Sequence, residues 1–180
     1  MTQEKEAIRQ VLQGDVESFR LIVERYERPI MRVIRNITGD REWCEDIAQD
    51  VFLAAYKKLP SFDPACGNFS TWLFTIARNK SINASKKKRA LSMSALPERT
   101  NPRNPSDELA KTEFYGQLDG ELQALPSAQR RAFILAEFEK LSYAEIAQIE
   151  GARIGTIKSR INRARKKLQL ALEHFAGGIV

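Results

Sequence analysis

The chain has 180 residues, 43% of them hydrophobic, a formal net charge of +6 and an isoelectric point near 9.4. That is enough apolar content for a core in one domain or two small ones, and no apolar run approaches the roughly 18 residues a membrane span needs. The polar start Met-Thr-Gln-Glu-Lys-Glu is no secretory signal, so the expectation is a cytoplasmic protein without membrane insertion, and the basic balance favours a polyanionic partner. Cys44 and Cys66 have neither a metal-site spacing nor a disulfide framework, and they read as incidental thiols.

The apolar spacing predicts helices throughout. Ile8, Val11 and Leu12 form a first short stripe, which Gly14 ends. Asp15 suits an N-cap before a stripe of Phe19, Ile22, Val23 and Tyr26. Pro29 bends or restarts that helix, and Ile30, Val33, Ile34 and Ile37 carry the stripe on to Gly39. Asp40 opens a helix to about Leu59, with Trp43, Ile47, Val51, Phe52, Ala55 and Tyr56 inside. Its other face shows Glu42, Glu45, Asp46, Gln49, Asp50, Leu53 and Lys57. A solvated acidic face with one stray Leu fits that pattern. A docking surface for a basic partner helix, anchored by Leu53, fits it equally well.

Residues 60–70 form a loop broken by Pro64, Gly67 and Asn68, after which Ser70 caps a helix carrying Trp72, Leu73, Ile76 and Ala77 inside. Aromatics (Phe62, Phe69, Trp72, Phe74) precede a cationic run that includes Arg78, Asn79, Lys80, Asn83 and Lys86. Bases stack on aromatics while cations follow phosphates, so this is a candidate single-strand site. A core aromatic cluster followed by a solvated cationic helix end is the plainer reading, and Trp72 is at least half buried under both.

Residues 92–107 hold Pro97, Pro102 and Pro105 without periodicity and read as a flexible linker. Extended, such a stretch spans roughly 50 Å at about 3.3 Å per residue. The predicted fold is therefore all-α: two small helical domains, 1–91 and 114–180, joined across 92–113. Both are basic, at +4 and +3, while the connecting segment is −1. Ser106 or Asp107 caps a helix through Leu109, Phe114, Leu118 and Leu122, which Gly116 and Gly120 weaken. Another helix starts at Leu125-Pro126-Ser127 and runs to Leu141, placed to pack beneath the last two helices of the chain.

Ser142 and Glu145 form a capping box before Ile146, Ala147 and Ile149, and Gly151 supplies a left-handed stop. A second helix carries Ile154, Ile157, Ile161, Ala164 and Leu168 on one face. Its opposite face holds Lys158, Ser159, Arg160, Arg163, Arg165, Lys166 and Lys167. This spacing is that of a helix-turn-helix whose second helix enters the DNA major groove. Thr156, Lys158, Ser159 and Arg163 are donors suited to base edges and phosphates. After Leu172 the tail, with His174, is expected to fray.

Three segments resemble the bacterial RNA polymerase sigma factors of the extracytoplasmic-function (ECF) type. They are Asp46 to Tyr56 (DIAQDVFLAAY), Phe69 to Asn79 (FSTWLFTIARN), and Leu141 to Ala147 (LSYAEIA) followed by Gly155 to Arg165 (GTIKSRINRAR). The resemblance covers nearly the whole chain. It implies a promoter-specificity subunit that binds core RNA polymerase and directs transcription initiation, with sigma region 2 in 1–91, a linker in 92–113 and sigma region 4 in 114–180. It implies that Asp46, Gln49, Asp50 and Leu53 dock on the clamp helices of the polymerase's largest subunit. Asn68, Phe69 and Ser70 would capture a flipped base of the downstream (−10) element. Arg78, Asn79, Lys80, Asn83 and Lys86 would hold the adjacent DNA. Thr156, Lys158, Ser159, Arg160, Arg163 and Arg165 would read the upstream (−35) element. An anti-sigma factor is the expected inhibitor. Glu150 departs from the family, which usually has an apolar residue before the turn glycine, so the second helix of the pair is expected to pack differently there.

A stand-alone helix-turn-helix regulator, with a dimerisation or sensor domain at its N-terminus, is the competing reading. An enzyme using Glu42, Glu45, Asp46 and Asp50 as a metal site is disfavoured: helical carboxylate sites need a partner Glu-x-x-His, and the one histidine is His174. No catalytic residue, metal or cofactor is expected.

Overall fold

The computed structural model describes residues 3–39, 43–92 and 109–176, with backbone only for 89, 91–92, 109–113 and 174–176. The expected helix starts at Asp40 and at Ser106 or Asp107, the carboxylate of Glu42 and the side chain of His174 lie outside what is described.

The described residues build eight α-helices. Helix α1 (Gln3–Leu12) buries Ala7, Ile8 and Val11. Leu12 was expected in that stripe but is 51% exposed, on the flank of the face the other three define. Asp15 accepts hydrogen bonds from the Glu17 N–H (3.1 Å) and the Ser18 hydroxyl (2.7 Å), which fixes a 3-10 turn, Val16–Ser18. Helix α2 (Phe19–Thr38) then runs without interruption past Pro29. Ile22, Tyr26, Ile30, Val33 and Ile34 stay in phase across the proline, so of the two expectations, a bend or a restart, the helix does not restart there. Gly39 ends it with φ 71°, its N–H donating to the Arg35 carbonyl.

Helix α3 (Cys44–Lys58) buries Ile47, Ala48, Val51, Phe52 and Ala55. Trp43 is not in the core: it precedes the first turn, is 37% exposed, and has the Lys88 ammonium 5.4 Å from its ring centre. Helix α4 (Phe69–Ser92) starts one residue ahead of the expected Ser70 cap, with the Asn68 carbonyl accepting the Trp72 N–H. Phe69, Leu73, Phe74 and Ala77 are buried. Trp72 is mostly buried, in a three-ring cluster with Phe62 and Phe69, whose ring centres lie 5.3 and 5.5 Å from its own. Helices α2, α3 and α4 pack on one another, with α1 laid on α2.

The second half comprises α5 (Leu109–Ala124), α6 (Ser127–Glu137), α7 (Tyr143–Glu150) and α8 (Ile154–Ala176). Helix α5 contains Leu109, Phe114, Leu118 and Leu122, as the expected helix did, and so overlaps the end of the 92–113 connection. Arg130 of α6 is buried and donates to the Gln123 carbonyl at 2.9 Å and the Gln123 side chain at 2.7 Å, capping the end of α5. Ser142 and Glu145 form the full capping box at α7. Helix α8 buries Ile157, Ile161, Ala164 and Leu168, and α6 packs beneath it. Ile154 was expected on that face but stands at the first helical position, 47% exposed. The α8 backbone stays helical beyond Leu172 to Ala176, where fraying was expected.

The two halves are docked. Helix α7 lies against α4, and α6 lies against α2. Val33 and Ile37 of α2 meet Ile134, Leu135 and Ile149 of the second half around a small apolar void. Nothing in the tether's composition indicated this contact, because a long linker permits docking without requiring it.

Gly151 makes the turn between α7 and α8 at φ 60°, and a β-carbon there would meet nothing within 4 Å. Gly151→Ala is therefore expected to cost about 1–2 kcal/mol through backbone strain alone, read as a lower denaturation midpoint with an unchanged slope.

Candidate nucleic-acid and partner interfaces

Helix α3 aims its five buried side chains at α2 and α4, so the positions between them face out. Asp46, Gln49, Asp50 and Leu53 share that outer face, and Leu53 is 52% exposed. Asp50 lies 3.6 Å from the Lys80 ammonium of α4, a solvated pair of small energetic consequence. Beside Leu53 an open groove of about 830 Å³ runs between α2 and α3, floored by Phe19, Val23, Met31 and Phe52, with the exposed Val16 at its edge. Glu17, Glu27 and Glu45 rim it, with Arg20 among them. Sequence reasoning found only the α3 wall. The α2 wall was legible as Phe19, Val23, Glu27 and Met31 at steps of four, but Phe19 and Val23 were assigned wholly to the core.

Along α4 the candidate strand residues divide. Phe69 is 3% exposed and packs edge-on against Tyr26 and Phe62, so its ring is core and does not face a base. Asn68 is exposed, and its amide donates to Glu145 Oε1 at 2.8 Å. The Thr71 hydroxyl, absent from the expected set, reaches the same oxygen at 3.4 Å. Ser70 is partly exposed. The Arg78 guanidinium donates to Glu150 Oε1 at 3.2 Å and to the Asn79 side chain at 3.0 Å. Asn79, Asn83 and Lys86 face solvent, with Lys80 partly exposed among them.

Helix α8 presents Thr156, Lys158, Ser159 and Arg163 to solvent from its first turns. The Arg160 side chain is 29% exposed, 3.7 Å from the Glu150 carboxylate. Arg165 points outward, yet its guanidinium is held by Glu137 at 2.8 Å.

Glu150 joins these surfaces. Its side chain is 1% exposed and takes two parallel hydrogen bonds from Arg131, both 2.9 Å, besides the contacts with Arg78 and Arg160. A buried carboxylate costs several kcal/mol of hydration unless it is paired, and here three guanidinium groups surround it. An apolar residue could not gather them, which is why the helix pair tolerates a carboxylate at this point.

The geometry thus comprises an acidic, apolar-floored groove, a polar strand-sized edge and a basic helix-turn-helix. Family models for sigma-70 region 2 and sigma-70 region 4 match residues 22–91 and 115–168. The chain is 31% identical to the RNA polymerase sigma-H factor of Pseudomonas aeruginosa, over 95% of this chain and 94% of that one. It is 32% identical to the ECF sigma factor SigW of Bacillus subtilis, over 93% and 96%. The structure of the sigma factor RpoE in complex with the anti-sigma factor NepR from Bartonella quintana superposes with a TM-score of 0.75 at 28% identity, covering 88% of this chain and 98% of that one. CnrH in complex with the cytosolic domain of CnrY gives 0.70 at 25%, over 96% and 99%. Two sigma-70 modules in this order define a bacterial sigma factor. The chain belongs to the ECF sigma factors, and it acts in promoter-directed transcription initiation. Its relatives are specificity subunits rather than enzymes, and no described helix is long and apolar enough to cross a membrane.

Glu145 offers a pH handle. Its partial burial works to raise the carboxyl, but hydrogen bonds from Asn68, Ser142 and Thr71 outweigh that and hold it below its ordinary value of 4.5. A depressed carboxyl contributes stability that is fully present above the unfolded value and is lost as the pH falls through the folded one. Acidification below about pH 5 should therefore lower the melting temperature, and Glu145→Gln, which keeps a capping-box side chain, should lower it less over the same range.

Proposed function

We propose that the outer face of α3, with Asp46, Gln49, Asp50 and Leu53, and the α2–α3 groove that Gln49 and Leu53 line, together dock on the clamp helices of the core polymerase's largest subunit. The observation that carries this reading is a large apolar side chain, Leu53, half exposed between carboxylates at the lip of an apolar groove. That combination suits a basic amphipathic helix: the apolar floor supplies affinity, and the acidic rim supplies orientation and encounter rate. Residues 1–91 act as region 2 and 114–180 as region 4, with the connection in 92–113 ending in the first turns of α5. Asn68 and Ser70, helped by Thr71, serve the flipped −10 base, and Arg78, Asn79, Lys80, Asn83 and Lys86 hold the adjoining strand. Thr156, Lys158, Ser159, Arg160 and Arg163 read the −35 element, with Arg165 free to join them once it leaves Glu137. The protein works in the cytoplasm, beside the polymerase, and an anti-sigma partner restrains it, as the complexes of RpoE with NepR and CnrH with CnrY suggest.

Two substitutions test the assignment. Asp50→Lys, or Leu53→Asp, should abolish capture of core polymerase, while stability changes by under about 0.5 kcal/mol, as for most surface sites. Unchanged capture would remove the groove from the docking surface. Arg163→Ala should weaken discrimination between −35 sequences by about 1–3 kcal/mol in promoter-library transcription with core enzyme. An equal loss on every sequence would make Arg163 a phosphate contact.

A further inference from the structure

Among the described residues, positive backbone φ angles fall on four glycines, Gly14 at 100°, Gly39 at 71°, Gly67 at 150° and Gly151 at 60°, and on one residue with a side chain, Lys140 at 56°. In the left-handed region a β-carbon crowds the carbonyl oxygen that follows it, and lysine lacks the short polar group with which asparagine or aspartate offsets the cost. The turn itself is needed, since it ends α6 and returns the Leu141 N–H to the Leu135 carbonyl at 3.1 Å before α7 begins. Glycine would make that turn without strain, so the lysine serves something other than the turn. A residue held in such a conformation points to function rather than to fold.

The surroundings of Lys140 identify the purpose. It lies between Glu137 and Tyr143, and both act on Arg165 of α8: Glu137 accepts from the guanidinium at 2.8 Å, and Tyr143 stands beside the same group. The loop is therefore seated against the basic face of the reading helix. Its two carboxylates are engaged, Glu137 by Arg165 and Glu139 by Arg32 at 2.6 Å. Lys140 is exposed, and none of the ion pairs among the described residues includes it. It stands two residues ahead of Ser142, the cap of α7, and in a helix-turn-helix the first helix crosses the DNA backbone while the second reads the bases. We propose that Lys140 is a phosphate contact: its ammonium holds the backbone of the promoter duplex beside the −35 element, and extends the basic face of α8 onto the loop ahead of α7. Lysine is a compact point charge on a flexible stem, so it anchors the duplex there without selecting its sequence.

This proposal rests on the −35 assignment of α8, so Arg163→Ala is carried alongside it. Three substitutions bear on Lys140. Lys140→Gly removes the charge and relieves the backbone. Lys140→Asn removes the charge and keeps a residue that tolerates the left-handed region. Lys140→Arg keeps the charge. Each full-length chain is assembled with core polymerase, and its binding to a fluorescein-labelled promoter duplex from the library selection is followed by anisotropy across a salt series. The same duplex with a scrambled −35 element reports discrimination, and thermal unfolding of the free chain reports stability.

Lys140→Gly and Lys140→Asn should each weaken binding roughly fivefold at about 0.1 M salt, by the same factor on both duplexes, with the log–log salt slope shallower by about one. Lys140→Gly should do so without lowering the melting temperature, because glycine removes the strain. Lys140→Arg should bind as the parent does. Unchanged binding in both neutral variants, while Arg163→Ala loses discrimination, overturns the phosphate contact and leaves the −35 assignment standing. Unchanged binding in those variants and in Arg163→Ala removes the −35 assignment and the proposal with it. A loss in Lys140→Arg as large as in Lys140→Gly, or a fall in the melting temperature of Lys140→Gly, shows that the residue serves the turn instead, which also overturns the proposal.

Discussion

The architecture depends on how one buried carboxylate is satisfied. Glu150 sits at the end of the first helix of the helix-turn-helix with almost no exposed surface, and removal of its partners would leave an uncompensated charge in a dry environment. Arg131 makes the two-pronged bond from within the second half. That bond alone would stabilise a free-standing helix-turn-helix. Arg78 arrives from the other half, and with it the placement of α7 on α4 acquires a defined register. The apolar contacts of Val33, Ile37, Ile134 and Ile149 supply non-directional attraction around it, while the ion pairs choose one docking geometry among many.

This constraint distributes the candidate DNA-contacting residues into two kinds. Lys158, Ser159 and Arg163 on α8, and Asn79, Asn83 and Lys86 on α4, face water and are ready for a polyanion. Arg78, Arg160 and Arg165 are each engaged by a carboxylate of the chain itself. Arginine suits such a double life, because its planar fork bonds a carboxylate or a phosphate with nearly the same geometry. The net positive charge that marks the chain as a polyanion binder therefore overstates what is free in the docked form.

Much of the secondary structure was legible because its signals are local. The capping box at Ser142 and Glu145, the left-handed glycines 39 and 151, and the steps of three and four in α8 all appear where the spacing put them. The misses lie where tertiary packing outweighs local signals. Pro29 failed to break α2 because the stripe on either side of it packs as one face. Trp43, Leu12 and Ile154 are apolar residues at helix ends, where the backbone turns away from the core before the side chain can enter it. The strand edge was found as a segment but misread at Phe69, since an aromatic that stacks on bases and one that fills a core look alike in sequence. The docking of the halves had only one trace, the unusual Glu150, whose partners lie 72 and 19 residues away in the chain.

The most direct measurement is hydrogen exchange across the full chain, free and with core RNA polymerase. The account predicts slower exchange on binding in α3 and the first half of α2, where the groove is covered. Protection confined to α7 and α8, with α3 exchanging as in the free chain, would contradict it.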